Sequence, residues 1–316
     1  MGINTTSTLL MIRPINFRYN EQTAVNNYYQ NKPTDEGEVD FQTKALAEFD
    51  DFVEKLEAKG IEVVVVNDTL KPETPDSIFP NNWVSFHHDG TVGLYPMYAE
   101  NRRLERREDI FDLLEDKGFE ITQEIHLTEF EEVGKFLEGT GSLILDRENK
   151  IAYAALSQRT DPDVLDTFNE QFGFRIVEFV ANQTHNGQRL PIYHTNVMMC
   201  LGDEFAVICL DAIDDMDDRD RVIESLEDSD KEIIEITEEQ KECFAGNMLQ
   251  VENKEGEKFI VMSDTAYNSL DQDQIDRLLT YNKEIIHSSL HTIETLGGGS
   301  ARCMMAEVFL PKSTDT

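Results

Sequence analysis

The sequence predicts an α/β protein whose five repeats close into a ring, a five-bladed α/β propeller with pseudo-fivefold symmetry. Three observations carry this. An order of helix, strand and hairpin recurs five times along the 316 residues. The first strands begin near residues 61, 119, 174, 232 and 284, a period of roughly 55. The fifth unit lacks a second hairpin strand, and the N-terminal run 9–13 supplies it, joining the two chain ends and hiding a sheet edge. One domain spanning 1–316 follows, with repeats at roughly 38–97, 102–155, 161–210, 217–262 and 270–310.

In the first repeat, Val39, Leu46, Phe49, Phe52, Val53 and Leu56 share one helix face, and Gly60 stops the helix. Residues 61–66 read as a buried strand, and 83–87 pairs with 91–95 across the turn His88-Asp89-Gly90. The second repeat has a helix at 102–117, a strand at 119–125 and a hairpin of 142–145 with 151–155. Asp161 caps the third helix with Pro162 at its first position, ahead of a strand at 174–180 and a hairpin of 196–201 with 205–210. The fourth unit runs through 217–226, 232–236 and the pair 248–252 with 258–262; the fifth through 270–280, 284–287 and 304–310.

With 63 acidic against 28 basic residues the formal charge is −35, which repels nucleic acid and anionic membrane surfaces. The four cysteines form no CxxC pair and need no disulfide framework, so a reducing, cytoplasmic setting is expected. No stretch approaches the ~20 apolar residues of a membrane span, and the loose myristoylation match of Met1-Gly2 with Thr6 is too short to weigh. No cofactor or metal is expected: His87-His88 lack a nearby third ligand, and the acid-rich run 211–218 lacks calcium-loop spacing. Cys200 and Cys209 read as core packing within strands.

Just before each hairpin stands one polar residue: Asn82, Glu138, His194, Asn247 and Cys303, separated by 56, 56, 53 and 56 residues. Equivalent positions in a ring face one axis from one end. A thiol, an imidazole and a carboxylate would therefore converge there, the set needed for covalent thiol catalysis with general acid/base help. Cys303 follows the loop Gly297-Gly298-Gly299-Ser300-Ala301-Arg302, whose glycines let a ligand approach the main chain and whose arginine brings positive charge beside the thiol.

The segments Leu137-Glu138-Gly139-Thr140-Gly141, Leu156-Ser157-Gln158-Arg159-Thr160, His194-Thr195-Asn196, Gly246-Asn247 and Gly298-Gly299-Ser300-Ala301-Arg302-Cys303 together resemble the pentein superfamily, the five-bladed ββαβ propellers that include arginine deiminases, dimethylarginine hydrolases and amidinotransferases. The resemblance implies that Cys303 attacks the central carbon of a guanidino-type group, that His194 protonates the leaving amine and then activates water, and that Glu138 holds substrate N–H groups. It also implies that Arg159 grips the substrate α-carboxylate, with Arg102 or Arg103 as a second clamp.

Deiminases place carboxylates around the guanidinium. Here the corresponding segments read Phe79-Pro80-Asn81-Asn82-Trp83 and His194-Thr195-Asn196, so both acids have become amides. An amide N–H can donate to a neutral ureido oxygen and to the oxyanion formed on attack, whereas a carboxylate would repel it. The expectation is a citrulline hydrolase yielding ornithine, ammonia and carbon dioxide through a carbamoyl-type thioester on Cys303, with Asn81, Asn82, Asn196 and Asn247 around the substrate. Arginine dihydrolase is the alternative, followed by arginine deiminase and amidinotransferase; a non-catalytic propeller stands as the non-enzyme reading. The partner is a small amino acid. The sequence is silent on oligomeric state, and a homodimer stays open.

Overall fold

The computed structural model describes residues 4–32 and 40–313; Met1-Gly2 and Val39 lie outside the described residues. After β1 (Thr8–Arg13), α1 (Phe41–Glu57) starts at Asp40, whose carboxylate accepts from the Thr43 N–H, and it buries Ala45, Phe49, Phe52, Val53 and Leu56. Next come β2 (Glu62–Asn67) and the hairpin of β3 (Val84–Phe86) and β4 (Thr91–Leu94). They are followed by α2 (Asp109–Asp116), β5 (Gln123–His126), the single turn α3 (Gly139–Ser142) and the hairpin of β6 (Ile144–Asp146) and β7 (Ile151–Ala155). Helix α4 (Pro162–Phe172) is capped by Asp161 as expected and ends at Gly173 in the left-handed conformation. It leads to β8 (Arg175–Phe179), an additional hairpin of β9 (Asn182–His185) and β10 (Gln188–Pro191), then β11 (Met199–Leu201) and β12 (Phe205–Ile208). The next stretch contains α5 (Met216–Glu227), β13 (Glu232–Glu235), α6 (Glu238–Glu242), β14 (Leu249–Glu252) and β15 (Lys258–Ser263). The last elements are α7 (Asp264–Ser269), α8 (Gln272–Tyr281), β16 (Glu284–Ser288), α9 (His291–Gly297) and β17 (Ala306–Glu307).

Among the described residues, five three-stranded sheets share one pattern, an antiparallel pair with a third strand parallel to it: β17-β1-β2, β3-β4-β5, β6-β7-β8, β11-β12-β13 and β14-β15-β16. The N-terminal strand pairs with β17, Leu10 opposite Ala306, and with β2, Leu10 beside Val64, so both chain ends meet in one sheet. The repeat boundaries drawn from the sequence cut through these sheets. The strand that opens each repeat pairs with the hairpin before it, because a parallel partner needs a crossover and the intervening helix provides one.

Besides the additional hairpin and the strand expected at 196–201, which begins at Met199, three elements differ from expectation. The helix expected at 102–117 is instead a 3-10 turn (Glu100–Glu105) followed by α2, since Arg102 and Glu105 turn inward as a buried ion pair. The strand expected from 119 begins at Gln123, and Phe119 bridges Lys312 of the C-terminal segment. The strand expected at 304–310 shrinks to β17 because Met304 belongs to the short turn (Ala301–Met304) that carries Cys303.

Candidate active site

Four of the five polar residues that recur at one phase of the repeat share a local structure, Asn247 being the exception. Asn82 ends a 3-10 turn (Pro80–Asn82), Glu138 caps α3, His194 caps a 3-10 turn (Thr195–Val197), and Cys303 lies within the turn Ala301–Met304. Each turn delivers its residue at the mouth of a hairpin. Glu138 and Asn247 are fully buried, and Asn82, His194 and Cys303 nearly so.

Two amides approach the thiol. Asn247 Nδ2 lies 3.3 Å and Asn196 Nδ2 3.5 Å from Cys303 Sγ. Asn247 also donates to the Asn196 carbonyl (2.8 Å) and accepts from the Arg302 N–H (3.0 Å), so it ties the cysteine turn to the histidine turn. Gly298 adopts φ +63°, and a Cβ there would collide with the Asn27 amide and Gln30; the bare backbone lets these two side chains reach the loop. Arg302 does not turn to the thiol as the sequence suggested. Its guanidinium is held by Glu307 (2.6 Å) and the Met305 carbonyl (2.9 Å).

His194 Nε2 donates to Glu138 Oε2 at 2.7 Å, and Arg159 Nη1 donates to the same oxygen at 3.3 Å. Glu138 Oε1 accepts from the Tyr98 N–H (2.9 Å). Burial alone would raise the Glu138 carboxyl, but Arg159, the His194 hydrogen bond and Arg102 outweigh it and hold it well below the usual carboxylate range. Burial pushes His194 down to about 4 against the opposing pull of Glu138, so its imidazole is neutral at pH 7. Gly141 packs on this unit: a Cβ there would strike Asn82 Nδ2 and the His194 ring.

Arg102 is clamped by Glu105 (2.9 Å from both Nε and Nη2) and donates to Asn82 Oδ1 (2.7 Å) and the Phe79 carbonyl (3.0 Å). Asn82 in turn donates to Asn81 Oδ1 (3.0 Å). Arg159 is filled from the segment after β1: Asn26 Oδ1 accepts from Nε (3.0 Å) and Nη2 (2.5 Å), and the Thr23 carbonyl accepts from Nη2 (2.9 Å). Asp76 Oδ2 accepts from Asn20 and Thr23, while Oδ1 is buried without a hydrogen bond among the described residues. Burial raises the Asp76 carboxyl, against Arg102 and those two donors.

Cys303, His194, Asn82, Arg102, Arg159 and Asp76 border one cavity of about 10 Å³, room for about a single water. Thr23 and Asn27 close it from one side and Gly297, Gly298 and Gly299 from another. Of the two arginines left open as a second clamp, Arg102 borders the cavity. Arg103 does not; it donates to the Met97 carbonyl and pairs with Glu131. Asn81 also stays outside, because its carbonyl packs against Gly139 and accepts from Thr140, and Asn196 touches the thiol without bordering the cavity. Glu138 sits behind His194 with both oxygens engaged, so the expected contact with substrate N–H groups is not made in this arrangement.

Sequence reading missed Asp76, Thr23, Asn26, Asn27 and Tyr193, whose hydroxyl donates to the Gly298 carbonyl at 2.6 Å. Asp76 carries a signal, three residues before Phe79; the others lie off the repeat phase and nothing local marks them. Among the described residues no group of three His, Cys, Asp or Glu is placed to hold a metal ion, and no helix is long and apolar enough to cross a membrane.

A sequence model of the eukaryotic N,N-dimethylarginine dimethylhydrolase family matches residues 13–310. The chain belongs to that family. That family is one of the penteins, whose fold the chain shares. No curated protein matches it in sequence. Among solved structures it resembles apo ArgZ, an arginine dihydrolase from the ornithine-ammonia cycle in cyanobacteria, at TM-score 0.72 and 20% identity, over 97% of this chain and 41% of that one. The chain thus spans less than half the length of full ArgZ. It is also similar to the product-bound N-terminal domain of ArgZ, with TM-score 0.69, 20% identity and coverage of 96% and 99%. A dimethylarginine dimethylaminohydrolase adduct with S-methyl-L-thiocitrulline matches at TM-score 0.62 and 14% identity, over 95% and 98%. At these identities the likeness is one of fold.

Proposed function

We propose that the chain hydrolyses a ureido amino acid, citrulline foremost, to ornithine, ammonia and carbon dioxide, on a single five-bladed propeller in a reducing, cytoplasmic compartment. The observation that carries this reading is the ring of amides around the nucleophile. Asn196 and Asn247 point N–H groups at Sγ and Asn82 borders the same cavity, whose one lining carboxylate among the described residues is Asp76. A neutral ureido head finds donors there for the oxyanion that develops on attack.

Cys303 Sγ bonds to the ureido carbon as its thiol proton passes to His194, and the carbonyl electrons move onto oxygen. Collapse expels an amine that takes the proton from His194, leaving an acyl thioester. Water, deprotonated by His194, attacks that carbon and releases the thiol and a carbamate, which breaks down to amine and carbon dioxide. Glu138 fixes the imidazole tautomer and steadies the imidazolium. The Asp76 oxygen without a partner receives the substrate ammonium, and Arg159 and Arg102 hold the carboxylate once Asn26 withdraws. A 10 Å³ cavity does not admit an amino acid, so the segment bearing Thr23, Asn26 and Asn27 must move for substrate to enter.

Arginine dihydrolase is the second reading, favoured by the presence of Asp76 and Glu138 near the site and by the fold shared with ArgZ. Incubation with citrulline, arginine, agmatine and dimethylarginine, with ornithine and ammonia measured, separates the two. Citrulline turnover with arginine untouched is expected; arginine consumed with citrulline untouched would sink the ureido reading. Asn82→Asp is expected to cut citrulline kcat by about 10²-fold, and an unchanged rate would remove Asn82 from oxyanion stabilisation.

A further inference from the structure

Another buried guanidinium lies outside the site. Arg147, at the turn between β6 and β7, is only 6% exposed. Among the described residues it has no ion pair, and its side chain makes one hydrogen bond, Nη1 to His87 Nδ1 at 3.3 Å. Its other neighbour is the Phe309 ring, 3.9 Å below the guanidinium carbon. Burial lowers Arg147 from its ordinary value against the pull of Glu307, whose carboxylate is itself paired with Arg302. Burial and the charges of Arg147 and Lys150 hold His87 neutral, so Nδ1 accepts from Arg147 and Nε2 donates to Ser85 Oγ at 2.8 Å. A charge removed from water with a neutral imidazole and an aromatic face in contact, and no ion pair of its own among the described residues, is a charge lacking a dedicated anion.

Arg147 opens onto a pocket of about 540 Å³ between the β3–β4 turn, the β6–β7 turn and the end of α4. That volume suits a small organic molecule. Lys150 stands on the same rim with its ammonium 4.5 Å from the Phe174 ring, and the half-buried Phe172 supplies an apolar wall. The opposing charge is Asp89, also on the rim, which is occupied in accepting from the Thr91 N–H. On a chain of net charge −35 this lining carries two cations, Arg147 and Lys150, against one carboxylate.

We propose that this pocket binds a metabolite-sized anion, a carboxylate or phosphate head on an apolar body, with Arg147 and Lys150 gripping the head and Phe172 backing the body. The guanidinium fork matches either oxyanion in two-point fashion.

Calorimetric titration of the full chain at low ionic strength tests this, with benzoate, phenyl phosphate and inorganic phosphate as probes and benzyl alcohol as the uncharged control. One saturable site for benzoate or phenyl phosphate is expected, with none for benzyl alcohol, and the tighter of the two identifies the head group. Lys150→Glu, an exposed change on a hairpin turn, is expected to weaken binding by about tenfold, and Arg147→Gln to abolish it. Should Arg147→Gln fail to fold, Lys150→Glu still decides. No saturable binding to the unaltered chain, or equal affinity in Lys150→Glu, would overturn the proposal. Neither result bears on turnover at Cys303.

Discussion

Arg159 and Arg147 are both buried arginines, each close to a hairpin, yet one is surrounded by acceptors and the other is not. Arg159 meets Glu138, Asn26 and the Thr23 carbonyl beside a cavity of about 10 Å³. Arg147 meets a neutral histidine and a phenyl ring beside a pocket of about 540 Å³. The contrast teaches how a fold retains charge in its interior. At the first place the protein supplies the acceptors itself, through Asn26, Glu138 and the Thr23 carbonyl. At the second the compensation is left to something outside the chain.

The largest effect expected from this contrast is catalytic. Glu138→Gln removes the anion that orders both His194 and Arg159, and kcat is expected to fall by about 10²- to 10⁴-fold in steady-state assays. A fall of less than about tenfold would mean that the His194–Glu138 contact is structural only.

Stability comes next. Arg159→Gln strands the Glu138 carboxylate and is expected to cost about 3–5 kcal/mol in denaturant unfolding. Arg147→Gln strands no opposite charge and loses mainly the contact with Phe309, about 1–2 kcal/mol. Equal costs would break the comparison.

The pH dependence is the third test. His194 titrates near 4 in the folded protein and near 6.5 unfolded, so the unfolded chain binds more protons between those values and stability falls as pH drops from about 6.5 to about 4. Glu138, depressed on folding, adds a loss in the same direction below its unfolded value of 4.5. Thermal melts between pH 7 and pH 4 should show the decline, and His194→Gln should flatten its upper part. An unchanged slope in that variant would place the titration elsewhere.

Much of this was legible in the chain. The α1 stripe, the Asp161-Pro162 start of α4 and the N-terminal strand that meets the C-terminal one follow from periodicity, capping and an unpaired edge. The 53- to 56-residue phase picked out Asn82, Glu138, His194, Asn247 and Cys303, and the structure sets all five at hairpin mouths. Arg103 and Asn81 show where such reading fails. Neighbours of true lining residues share the composition and the phase, and only a side chain's direction separates Arg102 from Arg103. The hairpin β9–β10 is not marked in the sequence because Asn182–His185 and Gln188–Pro191 carry no apolar alternation, the one buried residue among them being Gln183.

The sequence by itself determined the repeat, the element order, and the thiol, imidazole, carboxylate and amides at one phase of it, because local periodicity and residue type are properties of the chain. Tertiary structure alone decided that Glu138 stands behind His194, that Asn26 fills the fork of Arg159, and that, among the described residues, Asp76 keeps an oxygen without a partner and Arg147 is buried without an ion pair. These depend on contacts between residues as much as 133 positions apart, formed when the sheets bring distant turns together, and no local pattern encodes them.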